Sequence, residues 1–227
     1  MATTTTAARP SLLATHIGKK YAMAVSGMVL MAFVLVHMVG NLKLYLGAGP
    51  MDAYGRWLRT AGEPALPRET LLWAARIVLL GALAVHVGSA YALTVVNRRA
   101  RPEAYRSHRD YIAASFASRT MRWTGIIVAA FVVFHLLDLT WGTANPDFRA
   151  GDPYQNVVAS FQRWPVALAY VLANLALAVH LSHGAWSIFQ SMGWVPRWRR
   201  GFAVAFAAVI AVGNVSFPLA VLTGVIS

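Results

Sequence analysis

Four histidines, His37, His86, His135 and His180, fall inside apolar segments long enough to cross a membrane. An ionisable side chain at that depth is costly to insert, so each is a functional-site candidate. A single membrane histidine is ordinarily a helix–helix hydrogen-bonding group or a proton relay. Two facing histidines have a further use, because an imidazole pair can grip a haem iron from both faces of the porphyrin. Bundle cores are where facing helices present cofactor ligands. Bis-histidine ligation leaves no open position on the iron, so such a haem carries electrons rather than binding a substrate. The question is therefore whether these four residues are paired.

An internal repeat pairs them. Ser26-Gly-Met-Val-Leu-Met-Ala-Phe-Val-Leu-Val-His37 aligns with Thr124-Gly-Ile-Ile-Val-Ala-Ala-Phe-Val-Val-Phe-His135 at an offset of 98 residues. Gly27, Ala32, Phe33, Val34 and His37 match Gly125, Ala130, Phe131, Val132 and His135. Ala82-Leu-Ala-Val-His86 recurs letter for letter at Ala176–His180, an offset of 94. The first two apolar segments thus resemble the third and fourth in the same order and orientation. A parallel pseudo-repeat of this kind turns about an axis near the membrane normal. It pairs His37 with His135, and His86 with His180. Depth gives the same pairs. His37 and His135 lie ~24 Å and ~18 Å past the starts of their segments, while His86 and His180 each lie ~15 Å from the other end of theirs. Two haems at two depths would form a wire across the bilayer. Gly27 and Gly125, ten residues before the first pair, leave room for the porphyrin at the second. Zinc is the weaker alternative, since no cysteine or nearby carboxylate completes either pair.

Five segments position these residues: Tyr21–Leu46, Leu71–Val96, Trp123–Gly142, Val166–Phe189 and Phe202–Val225. Each has about 20 residues or more, enough for a hydrocarbon core of ~30 Å. Strict alternation over ~10-residue stretches, the mark of a membrane β-barrel, is absent. The expected fold is all-α, an integral membrane bundle of five transmembrane helices. Residues 1–20 form an N-terminal segment, with Thr/Ala-rich Met1–Pro10 frayed, and residues 21–227 form the haem-binding domain. Lys19 and Lys20 precede an apolar run too long for a signal peptide, so that run is expected to be retained. Gly47-Ala-Gly-Pro50, Pro64 and Pro67, Asn97–Pro102, Asn145-Pro146, Asp152-Pro153, Gly193 and Pro196 punctuate the chain, with Thr70 an N-cap for the second segment. Pro218 breaks a backbone hydrogen bond in the last segment and predicts a kink.

Composition agrees. Of 227 residues 58% are hydrophobic and only 12% charged, with a mean hydropathy of +0.53, against roughly 25% charged in soluble domains. Cysteine is absent, which excludes disulfides and cysteine-held iron–sulfur clusters in this chain. The formal charge of +12 reflects topology rather than nucleic-acid binding. Thirteen loop Lys and Arg lie on the N-terminal side, namely Arg9, Lys19, Lys20, Arg98, Arg99, Arg101, Arg106, Arg109, Arg119, Arg122, Arg197, Arg199 and Arg200. Five lie on the other: Arg56, Arg59, Arg68, Arg149 and Arg163. The positive-inside rule puts the N-terminus in the cytoplasm and the C-terminus outside.

Several further residues have two readings each. His183, one turn from His180, is a haem propionate contact or a helix-packing residue. Lys43 and Arg76 bind propionates of the outer haem or snorkel. Asp138, one turn after His135, hydrogen-bonds a histidine or a quinone, or sits wet at the helix end. His16 and His108 meet solvent or a partner. Trp186, Trp194 and Trp198 read as an interfacial belt.

These motifs resemble a family. Val36-His37-Met-Val-Gly-Asn41, Phe134-His135-Leu-Leu-Asp-Leu-Thr140 and, most specifically, His180-Leu-Ser-His-Gly-Ala-Trp-Ser187 are similar to those of the di-haem cytochrome b anchor of succinate:quinone oxidoreductases, the single-polypeptide, five-helix type. The resemblance extends from Lys19 to the last segment. It implies a multi-pass subunit of the bacterial cytoplasmic membrane, part of the respiratory chain and the tricarboxylic acid cycle. It implies two haem b as cofactors, with His86 and His180 as axial ligands of the inner haem iron and His37 and His135 of the outer. It further implies flavoprotein and iron–sulfur partner subunits on the cytoplasmic side and reduction of a quinone, menaquinone in this family type. Glu69 and Arg76 are candidates for proton delivery and quinone contact. Membrane lipid and a higher oligomer complete the expected partners. Fumarate reductase, hydrogenase or formate dehydrogenase anchors are redox alternatives. A proton-coupled transporter using the histidines as relays, or an anchor that has lost its cofactors, would predict no haem.

Overall fold

The computed structural model describes residues 15–99 and 112–227, with side chains in the second stretch from residue 120. Met1–Pro10, His108 and the loop arginines Arg101, Arg106 and Arg109 lie outside the described residues, as does the side chain of Arg119. Among the described residues seven α-helices run in order: α1 (His16–Asn41), α2 (Ala48–Thr60), α3 (Thr70–Arg99), α4 (Ile112–Leu139), α5 (Pro153–Gln162), α6 (Trp164–Ser191) and α7 (Arg199–Leu222). A 3-10 turn, Leu42–Leu46, joins α1 to α2. Five of these, α1, α3, α4, α6 and α7, are long and apolar enough to cross a membrane. They overlap the five apolar segments; α3, α4 and α6 are longer, whereas α1 and α7 begin and end earlier than the segments they carry. α1 starts five residues before Tyr21, and α4 starts eleven before Trp123. Helical hydrogen bonding does not stop where hydrophobicity does, so the spans extend into polar caps. α1 is capped by Thr15, whose side chain accepts from the Gly18 N–H at 3.0 Å. Thr70 is the first residue of α3 rather than its cap. Glu69 before it holds φ +65° and donates its N–H to the Arg59 carbonyl at 2.7 Å. Pro218 lies inside α7, two residues past Ser216, whose hydroxyl donates to the Gly213 carbonyl at 2.7 Å.

The two extra helices are short and lie between spans at the end of the bundle where α1 and α4 finish. Neither has an apolar run that hydropathy would detect. α5 forms because Pro153 fits a first-turn position that needs no N–H, and the Asp152 side chain accepts from the Gln155 N–H at 3.1 Å. Asp52 of α2 accepts from the Tyr154 N–H at 3.1 Å, locking the short helices together. The Asn156 side chain closes the preceding loop on Arg149, accepting from its N–H and donating to its carbonyl at 2.7 and 2.8 Å.

α1 packs on α3, α4 packs on α6, and α6 packs on both α1 and α7. Both helix pairs of the repeat are thus packed against each other, and α7 packs most extensively on α6. Small residues line the tightest contacts: Ala167, Ala173 and Ala185 on α6, and Ala203 and Ala207 on α7, are all buried. Without a hydrophobic drive between helices in lipid, close van der Waals approach between small residues holds such pairs together. Gly213 of α7 receives the side chain of Met38. The buried core concentrates where the short helices sit, around Leu44, Val158, Phe161, Tyr170 and Phe217. Large apolar side chains elsewhere on α3, such as Ile77, Val78 and Leu80, are exposed and face the lipid region.

Candidate functional site

The fold stands the four histidines as two pairs. His37 of α1 and His135 of α4 have ring centroids 5.8 Å apart, with planes at 87°. His86 of α3 and His180 of α6 have centroids 6.3 Å apart, with planes at 68°. A metal–imidazole bond is about 2 Å and the ring centroid lies about 1 Å beyond the nitrogen, so two rings on opposite sides of one ion stand about 6 Å apart. Both separations match that spacing. None of the four rings is sealed in protein: His37 is exposed and the others are half-buried. Among the described residues no group of three or more His, Asp or Glu side chains gathers, so neither pair grows into a zinc-type site.

Second partners fix the protonation of three of the rings. His86 Nδ1 faces the Met23 carbonyl at 3.2 Å, and a carbonyl can only accept. His180 Nδ1 lies 3.3 Å from Thr124 Oγ1. The Thr124 hydroxyl spends its one proton on helix carbonyls, Thr120 at 2.8 Å and Met121 at 3.2 Å, and so accepts from the imidazole. His135 Nδ1 lies 3.4 Å from the Tyr170 hydroxyl, whose proton goes to Asp138 Oδ2 at 2.9 Å. In each case Nδ1 carries the hydrogen and Nε2 keeps a lone pair. A ligating histidine normally donates its other N–H to such a partner, which sets the tautomer and raises its basicity. The donor set therefore fits a bis-imidazole haem at both levels.

The repeat reaches these supporting contacts. The Ser26 hydroxyl donates to the Ala22 and Met23 carbonyls at 2.7 and 3.2 Å, as Thr124 does at the equivalent positions 98 residues on. Phe33 stacks on His37 at 5.2 Å and Phe131 leans on His135 at 5.8 Å, each one turn before its histidine. Gly27 and Gly125 lie against the other histidine pair. A Cβ at Gly27 would lie 3.3 Å from His86 Cε1, and one at Gly125 would lie 3.4 Å from His180 Cε1. The glycines thus lie directly beside the His86 and His180 imidazoles. A Cβ there meets the ring at or just inside ordinary contact distance, so a branched side chain crowds it. If each pair holds a haem, Gly125→Val is expected to lose the one between His86 and His180 and keep the other, read as haem per polypeptide. Retention of both would show that the glycine is not needed.

The remaining candidates scatter. His183 is half-buried on α6, and it is His180, not His183, that faces His86. Lys43 Nζ sits 5.6 Å from the centroid of the Tyr54 ring, at the edge of a groove of about 580 Å³ that Val36, Val39 and Trp57 also line. Glu69 pairs with Arg59 at 3.6 Å. Arg76 lies over the Trp73 ring at 4.7 Å. The contacts described thus tie Glu69 and Arg76 to different neighbours rather than to each other. His16 is exposed at the start of α1. Trp194 and Trp198 cluster with Phe189 at the α6–α7 turn, with centroids 5.3–5.4 Å apart, while Trp186 is half-buried on α6.

Asp138 is not wet at a helix end. It is fully buried, with 0% exposure. Arg163 Nη2 donates to its Oδ1 at 2.6 Å, the Ser160 hydroxyl donates to Oδ2, and Tyr170 donates to Oδ2 as well. Arg163 also donates to the Ala144 carbonyl at 2.8 Å. One carboxylate thus ties α4, α5 and α6 together directly behind His135. Sequence reasoning placed Arg163 only in a loop charge count and did not reach Ser160 or Tyr170. A signal was available for the ion pair. Asp138 is the only acid inside an apolar segment, and Arg163 borders the next segment. A charge at that depth needs a partner.

The family model of the succinate dehydrogenase/fumarate reductase transmembrane subunit matches residues 94–215. The chain belongs to that family. It is a multi-pass membrane subunit of a redox enzyme complex. The matched stretch holds α4, α5 and α6, hence one histidine of each pair, His135 and His180. Among curated proteins and among solved structures no match to the chain was found.

Proposed function

We propose that this subunit is the electron-carrying anchor of a succinate dehydrogenase, holding one haem b between His86 and His180 and a second between His37 and His135. The observation that carries the reading is the two ring separations near 6 Å, with Nδ1 committed elsewhere on three of the four imidazoles. Bound haem b would supply one-electron oxidation and reduction at two depths between a soluble partner and a membrane quinone. The chain's own residues hold and orient it. Gly27 and Gly125 seat the inner rings, Met23 and Thr124 fix their tautomers, and Phe33 and Phe131 wall the outer rings with apolar surface. His183 and Lys43 are the proposed propionate contacts. The Lys and Arg excess on the N-terminal side supports a cytoplasmic N-terminal face, where flavoprotein and iron–sulfur subunits would dock. Menaquinone is the proposed acceptor, with Glu69 and Arg76 near the start of α3 as its candidate contacts.

The test uses the complex purified whole from its own membranes. Succinate is expected to bleach the oxidised b-type spectrum and produce the reduced bands, and fumarate to reverse the change. Two haems indifferent to succinate would keep the anchor and replace the dehydrogenase partner. A complex in which fumarate is turned over but succinate is not would assign the reverse direction, as a fumarate reductase.

A further inference from the structure

Among the described residues, the outer pair has a support that the inner pair does not show. His86 Nδ1 leans on a backbone carbonyl and His180 Nδ1 on a threonine hydroxyl, both neutral acceptors. His135 Nδ1 leans on the Tyr170 hydroxyl at 3.4 Å, and that hydroxyl is itself bonded to a buried carboxylate at 2.9 Å. Donating to Asp138 makes the phenol oxygen a stronger acceptor, because hydrogen bonds in a chain polarise one another and do so more in a low-dielectric interior. The carboxylate is held for this by three donors, Tyr170, Ser160 and Arg163. The ring is fixed from other sides too. Phe131 contacts both Tyr170, edge-on at 5.0 Å, and His135, and Phe161 meets Tyr170 edge-on at 4.8 Å.

From this arrangement we infer that Tyr170, backed by Asp138, is a positioning residue that sets the ligand strength of His135 and lowers the reduction potential of the outer haem relative to the same site without it. The inference rests on the haem reading above. A stronger acceptor on Nδ1–H gives the imidazole more anionic character and makes Nε2 a better donor to iron. A better donor favours the ferric state, so the potential falls.

The test is a redox titration of the purified complex carrying Tyr170→Phe, with the two haems resolved optically and by low-temperature electron paramagnetic resonance. The variant removes only the hydroxyl and leaves Asp138 its bonds from Ser160 and Arg163. The expected result is a rise in the potential of one haem, a changed low-spin signal for that same haem, and an unmoved second haem. A purely packing role would move neither potential. Both haems present with both potentials unchanged would overturn this inference and leave the haem reading intact, whereas a wild-type complex without haem would overturn both. Should Tyr170→Phe fail to assemble, monofluorotyrosine at position 170 keeps the bond and weakens the oxygen as an acceptor. It is expected to shift the same haem in the same direction by less, and no shift there would equally overturn the inference.

Discussion

Replacing His180 with alanine is expected to remove one haem and spare the other, so that haem per polypeptide falls to about half while the remaining low-spin signal is unchanged. The reason is geometric. His180 faces His86 across 6.3 Å, and Gly27, ten residues before His37 on α1, lies against His86, so the two pairs stand ~15 Å apart along α1. A single imidazole at the inner level leaves the iron one axial bond short. His86→Ala should give the same spectrum as His180→Ala, while His37→Ala and His135→Ala should share a different one. His183→Ala is the control and should keep both haems. A variant set that sorted any other way, or a His180→Ala protein with both haems in place, would break the pairing.

Asp138→Asn is expected to be the most damaging single change to stability, costing about 3–5 kcal/mol, because removing one charge of a buried pair strands the other. Asp138 is completely buried and accepts from three side chains, Ser160 on α5, Tyr170 on α6 and Arg163 between them. Arg163 keeps 28% side-chain exposure, which leaves it some access to water and points to the lower end of that range. Unfolding in detergent, followed by heat or denaturant, measures the loss. Replacing Asp138 and Arg163 together by leucines should recover part of it, since an apolar pair leaves no stranded charge. A loss below about 1 kcal/mol for Asp138→Asn would mean the pair behaves as an exposed one.

Much of this site could be read without a structure. The histidine pairs follow from two short sequence repeats and from counting residues along straight helices, because a transmembrane helix turns sequence distance directly into depth. Gly27 and Gly125 were also visible as repeat-related positions, yet their approach to His86 and His180 was not. Whether a missing Cβ makes room for a porphyrin or for an imidazole depends on which way the neighbouring ring turns, and only packing decides that. α2 and α5 escaped notice because hydropathy detects long apolar runs, and short helices held by Pro153, Asp152 and Asp52 have none. Tyr170 was hidden for a related reason. A tyrosine in an apolar helix reads as ordinary packing until Asp138 and His135, 32 and 35 residues away, are seen to converge on its hydroxyl.

The central claim is that the two imidazole pairs are haem sites, and the direct measurement is a dithionite-reduced minus oxidised visible spectrum of the purified complex, with haem quantified per polypeptide. The account predicts two haem b for each chain, both low-spin with two histidine ligands. Well-folded protein with a featureless spectrum would contradict it and return the four histidines to proton relay or helix packing.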